Sequence, residues 1–153
     1  MVTNTPQGFP LRRVVFDTNV ILSLWAFTDS RFAPLRAEVD AGRWLALTRP
    51  DCLDELRRVL GYPQFKFDGA RQDAAYAAYE RAALCWQGEP LAAALPRCKD
   101  RDDQKFLELA RDGGAHWLVT ADKLLLRCAR RERLQDMFQI VRPEVLLAAL
   151  QAA

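Results

Sequence analysis

Four acidic positions stand where carboxylates are costly. Asp17 closes the apolar run VVFD, Glu55 lies within LDELRRVL, Asp103 within KDRDDQKFLELA, and Asp122 follows LVTAD. Carboxylates set beside apolar elements lose hydration and repel one another, so they call for a compensating charge. Every donor in this set is an oxygen, which selects a hard cation such as Mg²⁺ or Mn²⁺ over zinc or copper. One or two such ions can turn water into a nucleophile and neutralise charge building on a phosphate. Metal-dependent phosphodiester chemistry is therefore the leading idea, and it needs no histidine.

Each acid has a competing structural reading. Asp17 and Asp122 can each cap a following helix, although Thr18, Asn19 and Thr120 could serve as well. Glu55 borders the apolar face marked by Cys52, Leu56 and Val59, yet Arg58 at i+3 offers an ordinary surface pair. Asp54 points elsewhere, toward Arg57 and Arg58. Asp100, Asp102 and Asp103 crowd one helix start, where the helix dipole favours one or two acids. Asp103 sits one turn before Leu107, on the side of Phe106 and Ala110, so it is placed to point inward. Asp100 or Asp102 is then the cap, and both remain possible metal ligands.

The elements that would position these acids alternate. Strands are expected at Arg13–Phe16, Trp44–Thr48, Trp117–Thr120 and Phe138–Val141. Helices are expected over 19–27, 31–41, 50–60, 71–86, 102–112, 121–130 and 143–150, with Gly42 and Gly61 as stops and Pro50 and Pro143 as starts. Residues 61–70 form a loop bearing Tyr62, Phe65, Lys66 and Phe67, and 87–99 form a connection. Strands alternating with helices give an α/β fold around a mainly parallel sheet, whose ligand site lies outside the carboxyl ends of the strands. Asp17 and Asp122 both fall at that edge. Residues 1–12 are expected to be a flexible tail and 13–153 a single domain.

Composition narrows the classes. A chain of 153 residues, half apolar and 27% charged, suits one domain with a sizeable core. No apolar run is long enough for a membrane span, and the N-terminus lacks a signal-peptide h-region, so a cytoplasmic location is expected. Four scattered cysteines without a CxxC pair, and the single His116, argue against structural zinc; reduced thiols are expected. His116 reads as a local structural residue. Net charge of +2 decides little, and 18 Arg against 4 Lys fits codon usage in a GC-rich genome as well as phosphate binding.

The segments VVFDTNVILS, LTRPDCLDELRRVLGYPQF, CKDRDDQKFLELARDGGAHWLVTADKLLL and IVRPEVLLAAL, in that order, resemble the PIN-domain nucleases, in particular the bacterial toxins of toxin–antitoxin pairs. The resemblance implies a three-layer α/β/α domain whose acids hold Mg²⁺ or Mn²⁺ and cleave single-stranded RNA. By motif position Asp17, Glu55, Asp103 and Asp122 look like the family's four acids, and Thr18 and Thr120 like positions that support them by hydrogen bonds. No carboxylate of the four is lost. The resemblance also implies a small antitoxin protein and a homodimer as partners, the Ala-rich stretch 71–86 permitting close helix packing within the domain or across a dimer.

On this reading Asp17, Asp103 and Asp122 hold the ion while Glu55 holds its shell or orients water. Arg12, Arg13, Lys99, Arg101, Lys105 and Lys123 are candidate phosphate contacts. Tyr62, Phe65 and Phe67 either stack bases or pack the loop onto the core. Two alternatives remain. One is a catalytically silent PIN-like module binding RNA or protein. The other is a phosphatase with an aspartate nucleophile, which wants a second aspartate where this chain has Asn19.

Overall fold

The computed structural model describes residues 11–91, 93–129 and 137–152. The tail expected at the N-terminus lies, for residues 1–10, outside the described residues, as does the last residue, Arg130, of the helix expected over 121–130. Five strands form one sheet: β1 (Arg12–Phe16), β2 (Trp44–Thr48), β3 (Leu84–Cys85), β4 (Trp117–Val119) and β5 (Gln139–Val141), in the order β3-β2-β1-β4-β5. Every pairing is parallel, with Val14 opposite both Ala46 and Trp117.

Parallel strands are buried on both faces, so they read as continuous apolar runs rather than alternating ones. In β1, Val14, Val15 and Phe16 are all buried, but they face opposite ways. Val14 and Phe16 join a core with Trp25, Leu35, Leu56, Tyr79 and Leu146. Val15 joins a second core with Leu47, Phe106, Leu109, Leu118 and Leu125. The first core is covered by α1 (Thr18–Ile21), α2 (Ala33–Asp40), α3 (Pro50–Leu60), α4 (Gly69–Ala82) and α7 (Pro143–Ala152). The second is covered by α5 (Gln104–Asp112) and α6 (Lys123–Cys128). The result is the three-layer α/β/α arrangement expected. Each fully buried Phe or Leu contributes on the order of 1.5–3 kcal/mol.

Three departures from the expected elements have physical causes. The helix expected over 71–86 ends at Ala82, because Ala83 turns to an extended backbone (ψ 152°). Leu84 and Cys85 then add to the sheet edge opposite Leu47 and Thr48, and Trp86 N–H donates to the Thr48 carbonyl at 2.7 Å. The helix expected over 19–27 is α-helical only to Ile21. It continues as a π-helix over Leu22–Ala26, closed by Phe27 N–H to the Leu22 carbonyl at 2.8 Å. The helix expected over 102–112 begins as a 3₁₀ turn, Arg101–Asp103.

Two glycines need their type. Gly42 and Gly114 have φ of +79° and +64°, the left-handed region that stops α2 and redirects the chain after α5. The four cysteines, all among the described residues, form no disulfide. No helix among the described residues is long and apolar enough to cross a membrane.

Arg49 couples α3 and α5. Its guanidinium holds Asp51 (2.7 Å) at the start of α3 and Glu108 (2.9 Å) on α5, which keeps it protonated and fixes the two elements against each other.

Candidate active site

Strand order reverses between β1 and β4: the chain runs β1, β2, β3 to one side, then returns to place β4 and β5 on the other. A crevice opens at the carboxyl ends beside such a switch point. All four buried polar or charged side chains among the described residues lie at this end of the sheet: Asp17 and Thr18 after β1, Thr48 ending β2, and Thr120 after β4.

Asp17 is 4% exposed and works with both oxygens. Oδ1 accepts the Val20 N–H at 3.1 Å, capping α1, and Oδ2 accepts the Thr120 hydroxyl. The capping reading is thus correct, and the second oxygen is held by Thr120 on a residue that lines the crevice. Burial pushes the carboxyl up to about 6, against the pull of the Thr120 and Val20 bonds, and neighbouring Asp122 adds to the rise. Asp122 caps α6 with Oδ1, which accepts the N–H groups of Leu124 (2.7 Å) and Leu125 (3.2 Å). Thr120 does not compete for that cap. Its hydroxyl oxygen accepts the Asp122 N–H at 2.9 Å while its proton goes to Asp17, so one side chain registers both acids.

Glu55 reaches the same crevice from α3. Its Oε2 accepts the Thr18 hydroxyl, and Oε1 meets the Lys105 ammonium at 2.7 Å. The Arg58 pair expected at i+3 is long, 3.9 Å. Asp54 is exposed, and Arg57, expected to pair with it, bonds Asp73 instead at 2.8 Å.

Asp103 points inward as its spacing predicts. Phe106, Leu107 and Ala110 on its side are buried, and its Oδ2 is buried without a hydrogen-bond partner. Burial and then the charges of Asp122, Asp100, Asp17 and Glu55 push its carboxyl up to about 7. Asp100 is the cap, its Oδ1 accepting the Asp102 N–H at 3.0 Å. Asp100 and Asp102 are exposed and neither lines the crevice.

Asp17, Glu55, Asp103 and Asp122 line one cleft of about 240 Å³. Thr18 and Asn19 share its wall, with Tyr62, Gln64 and Phe65 from the loop after α3. Among the described residues no three His, Cys, Asp or Glu side chains are already gathered as a metal-holding cluster. Hydroxyls and an ammonium occupy several of the carboxylate oxygens: Thr120 on Asp17, Thr18 and Lys105 on Glu55. The donor set still fits a hard divalent cation. It is all oxygen, the charge of Asp122 adds to the raised pKa of both Asp17 and Asp103, and one buried oxygen has no partner.

Lys105, a candidate phosphate contact from its place in the sequence, serves instead as the counter-ion of Glu55, 50 residues away, and no local pattern signals such a partner. Arg12 and Arg13 lie at the opposite end of β1. Arg12 covers the Trp117 ring and Arg13 Nη1 donates to the Gly113 carbonyl at 3.1 Å, so neither borders the cleft. Lys123 is exposed at the start of α6. Lys99 and Arg101 line a second cleft of about 660 Å³ with Arg97 and Arg111. His116 is structural: its Nδ1 accepts the Arg13 N–H at 3.0 Å. Phe67 is buried in the core, whereas Tyr62 and Phe65 are half-buried.

The chain shares its fold with a solved protein, PAE2754 from Pyrobaculum aerophilum, at a TM-score of 0.60 and 16% identity over 100% of both chains. No curated protein matches it. The family model for the PIN domain matches residues 13–124, a span that holds all four cleft acids. PIN domains are generally nucleases that use divalent metal ions. With a match over well more than half its length, the chain belongs to the PIN domain family.

Proposed function

We propose that this protein is a metal-dependent endoribonuclease that cleaves single-stranded RNA, acting as the toxin of a toxin–antitoxin pair. One observation carries the catalytic part: four carboxylates line a single cleft at the switch point, with Asp17 and Asp103 pushed up and Asp103 Oδ2 buried and unpartnered. Like charges confined in this way are stabilised by a cation. Asp17, Asp103 and Asp122 would hold Mg²⁺ or Mn²⁺, with Glu55 completing the shell or orienting water. Such an ion, when bound, polarises a phosphate and activates water.

The chain's own residues prepare that site. Thr120 fixes Asp17 and the Asp122 backbone together, and Thr18 fixes Glu55. Lys105 holds the other Glu55 oxygen at 2.7 Å, which fixes the carboxylate where it could orient water. The second cleft, with exposed Arg97, Lys99 and Arg101, adjoins the acidic one across the Arg101–Asp103 turn and supplies positive charge for the RNA backbone. The toxin role, the antitoxin partner and a homodimer rest on the motif resemblance. Helix α4 packs within its own domain, Tyr79 lying edge-on to Trp25 at 4.9 Å.

One observation favours an alternative. Lys105 is already seated on Glu55 and neutralises part of the acidic wall, as suits a catalytically silent module that binds RNA or protein. Cleavage of labelled single-stranded RNA with Mg²⁺, with Mn²⁺ and with EDTA, for wild type and Asp17→Asn, separates the two. Metal-dependent cutting lost in the variant is expected. A folded wild type that cuts under neither metal would leave the silent module.

A further inference from the structure

The loop after α3 carries an arrangement that the catalytic reading does not use. Three aromatic rings run from the core to the cleft in nearly one orientation. Phe67, buried, lies 5.9 Å and 24° from Phe65; Phe65 lies 6.4 Å and 10° from Tyr62. The inner end is anchored: Arg71 covers the Phe67 ring at 4.3 Å and donates to the Ala26 carbonyl at 3.2 Å. The outer end is half-exposed, and Tyr62 and Phe65 line the same cleft as the four carboxylates. Phe27 braces the row, its ring 5.5 Å from Phe65 at 73°, while remaining 44% exposed.

The backbone on both sides is strained to hold these rings. Thr28 and Lys66 have φ of 49° and 56°, left-handed values uncommon for any non-glycine residue and most of all for a β-branched one. Such strain persists where the surroundings enforce it, and it concentrates at ligand sites. Lys66 separates Phe65 from Phe67; Thr28 directly follows Phe27.

A cation completes the arrangement. Arg58 is largely exposed, stands beside the Tyr62 hydroxyl and comes within 3.9 Å of Glu55. It therefore bridges the aromatic row and the acidic wall. Flat apolar faces next to an exposed guanidinium, in a cleft whose carboxylates suit phosphate chemistry, are what an unpaired nucleotide requires: stacking for the base and a positive partner for its phosphate. The core of a protein–protein interface is depleted of charged residues, whereas these rings share their cleft with four carboxylates.

We propose that Tyr62 and Phe65 form a base-stacking subsite on the wall of the cleft, which takes one unpaired base of an RNA strand while Arg58 engages the adjoining phosphate. The subsite rests on the nuclease reading for its substrate, and it adds a reason for single strands: a base held in a duplex stack cannot reach these rings.

Single-abasic oligoribonucleotides test it. A series of short RNAs, each lacking the base at one position, is titrated against the full chain with Ca²⁺ in place of Mg²⁺. In wild type, removing one particular base weakens binding by about 5- to 150-fold, the range expected for one stacking contact. In Tyr62→Leu/Phe65→Leu the series becomes flat. Tyr62→Phe/Phe65→Tyr, which keeps both rings, restores the penalty, and thermal melts verify that all three proteins fold. A flat series in wild type, or a penalty unchanged in the leucine variant, overturns the subsite and leaves the surface to a protein partner. Cleavage in Mg²⁺ and in EDTA is followed in parallel. Metal-dependent cutting with a flat series defeats the subsite alone; an intact penalty without cutting defeats the nuclease reading alone.

Discussion

At the amino end of the sheet, Arg13 N–H donates to His116 Nδ1 at 3.0 Å, His116 N–H donates back to the Arg13 carbonyl at 2.8 Å, and the Arg13 guanidinium takes the Gly113 carbonyl. At the carboxyl end of the same strands, Asp17 and Asp103 face Asp122 and Glu55, and a buried Asp103 oxygen has no partner at all. Every polar group named at the first end meets a partner; at the other, four carboxylates share one cleft with a single bonded ammonium, Lys105, and one oxygen is left over. The first arrangement stabilises the fold. The second destabilises it unless a cation arrives, which is the behaviour of a site rather than a seam.

The largest effect that separates the ends is on catalysis. Loss of an ion-holding carboxylate removes several kcal/mol of transition-state charge stabilisation, so Asp17→Asn is expected to lower the rate of RNA cleavage about a thousandfold or more. A single-turnover assay with Mg²⁺ measures it. A variant cutting within tenfold of wild type would mean that the acidic end is not where the reaction occurs.

Next comes the dependence of stability on pH. The folded-state carboxyls of Asp17 (about 6) and Asp103 (about 7) lie above the ordinary 3.8, so the fold binds their protons more tightly than the unfolded chain does. Their contribution is complete below about pH 4 and is lost as pH rises through 6 and 7, on the order of 3 kcal/mol for buried Asp17. His116 works the other way: burial lowers its pKa, so its contribution grows as pH rises through 6.5. Comparing wild type with Asp103→Asn cancels the histidine. Without metal, the variant is expected to gain Tm relative to wild type on going from pH 5 to pH 8, and Mg²⁺ to raise wild-type Tm more at pH 8 than at pH 5. Equal gains at both pH values would show that the acids are not strained by one another.

Thr120→Val tests the link between the acids. It removes the proton donated to Asp17 and the acceptor for the Asp122 N–H. Groups that orient metal ligands typically change activity by about 10- to 100-fold, and a loss of that size is expected in kcat with the RNA affinity little changed. A fall in affinity with kcat intact would instead give Thr120 a part in holding RNA.

How much of this was legible in the sequence follows from what each signal spans. Asp17 and Asp122 could be read because they follow buried strands, and Asp103 because Phe106, Leu107 and Ala110 mark its face within two turns. The spacing left the cap open between Asp100 and Asp102, and only the structure selects Asp100 and shows the unpartnered oxygen of Asp103. Strand β3 could not be read. It has two residues at the sheet edge, and the Ala-rich sequence before it favours helix through Trp86 with no Gly or Pro to stop it. The π-helix after Ile21 left no mark either, since only Ser23 interrupts the apolar run there and nothing in it distinguishes a π-turn from an α-turn. Partners far apart in the chain, Thr18 with Glu55 and Glu55 with Lys105, belong to packing rather than to any window of sequence.

The smallest expected effect is also the one that separates the two ends most directly. Arg13 is a strand residue of the right charge, and from sequence it qualifies as a phosphate contact. Four residues of extended chain put it about 13 Å from Asp17, along β1 and away from the cleft. Its guanidinium is spent on Gly113, in the turn where Gly114 takes its left-handed φ and where any Cβ would come within 3.2 Å of Arg13 Nη1. Arg13→Ala should therefore lower stability by about 1 kcal/mol, the net worth of one part-buried hydrogen bond, and Tm by about 2–4 °C in a domain of this size. RNA affinity and its salt dependence should stay as in wild type, because deleting a side chain that binds phosphate would flatten the salt slope by about one ion. If the slope falls instead, RNA extends to the amino end of the sheet, and the seam is also part of the binding surface.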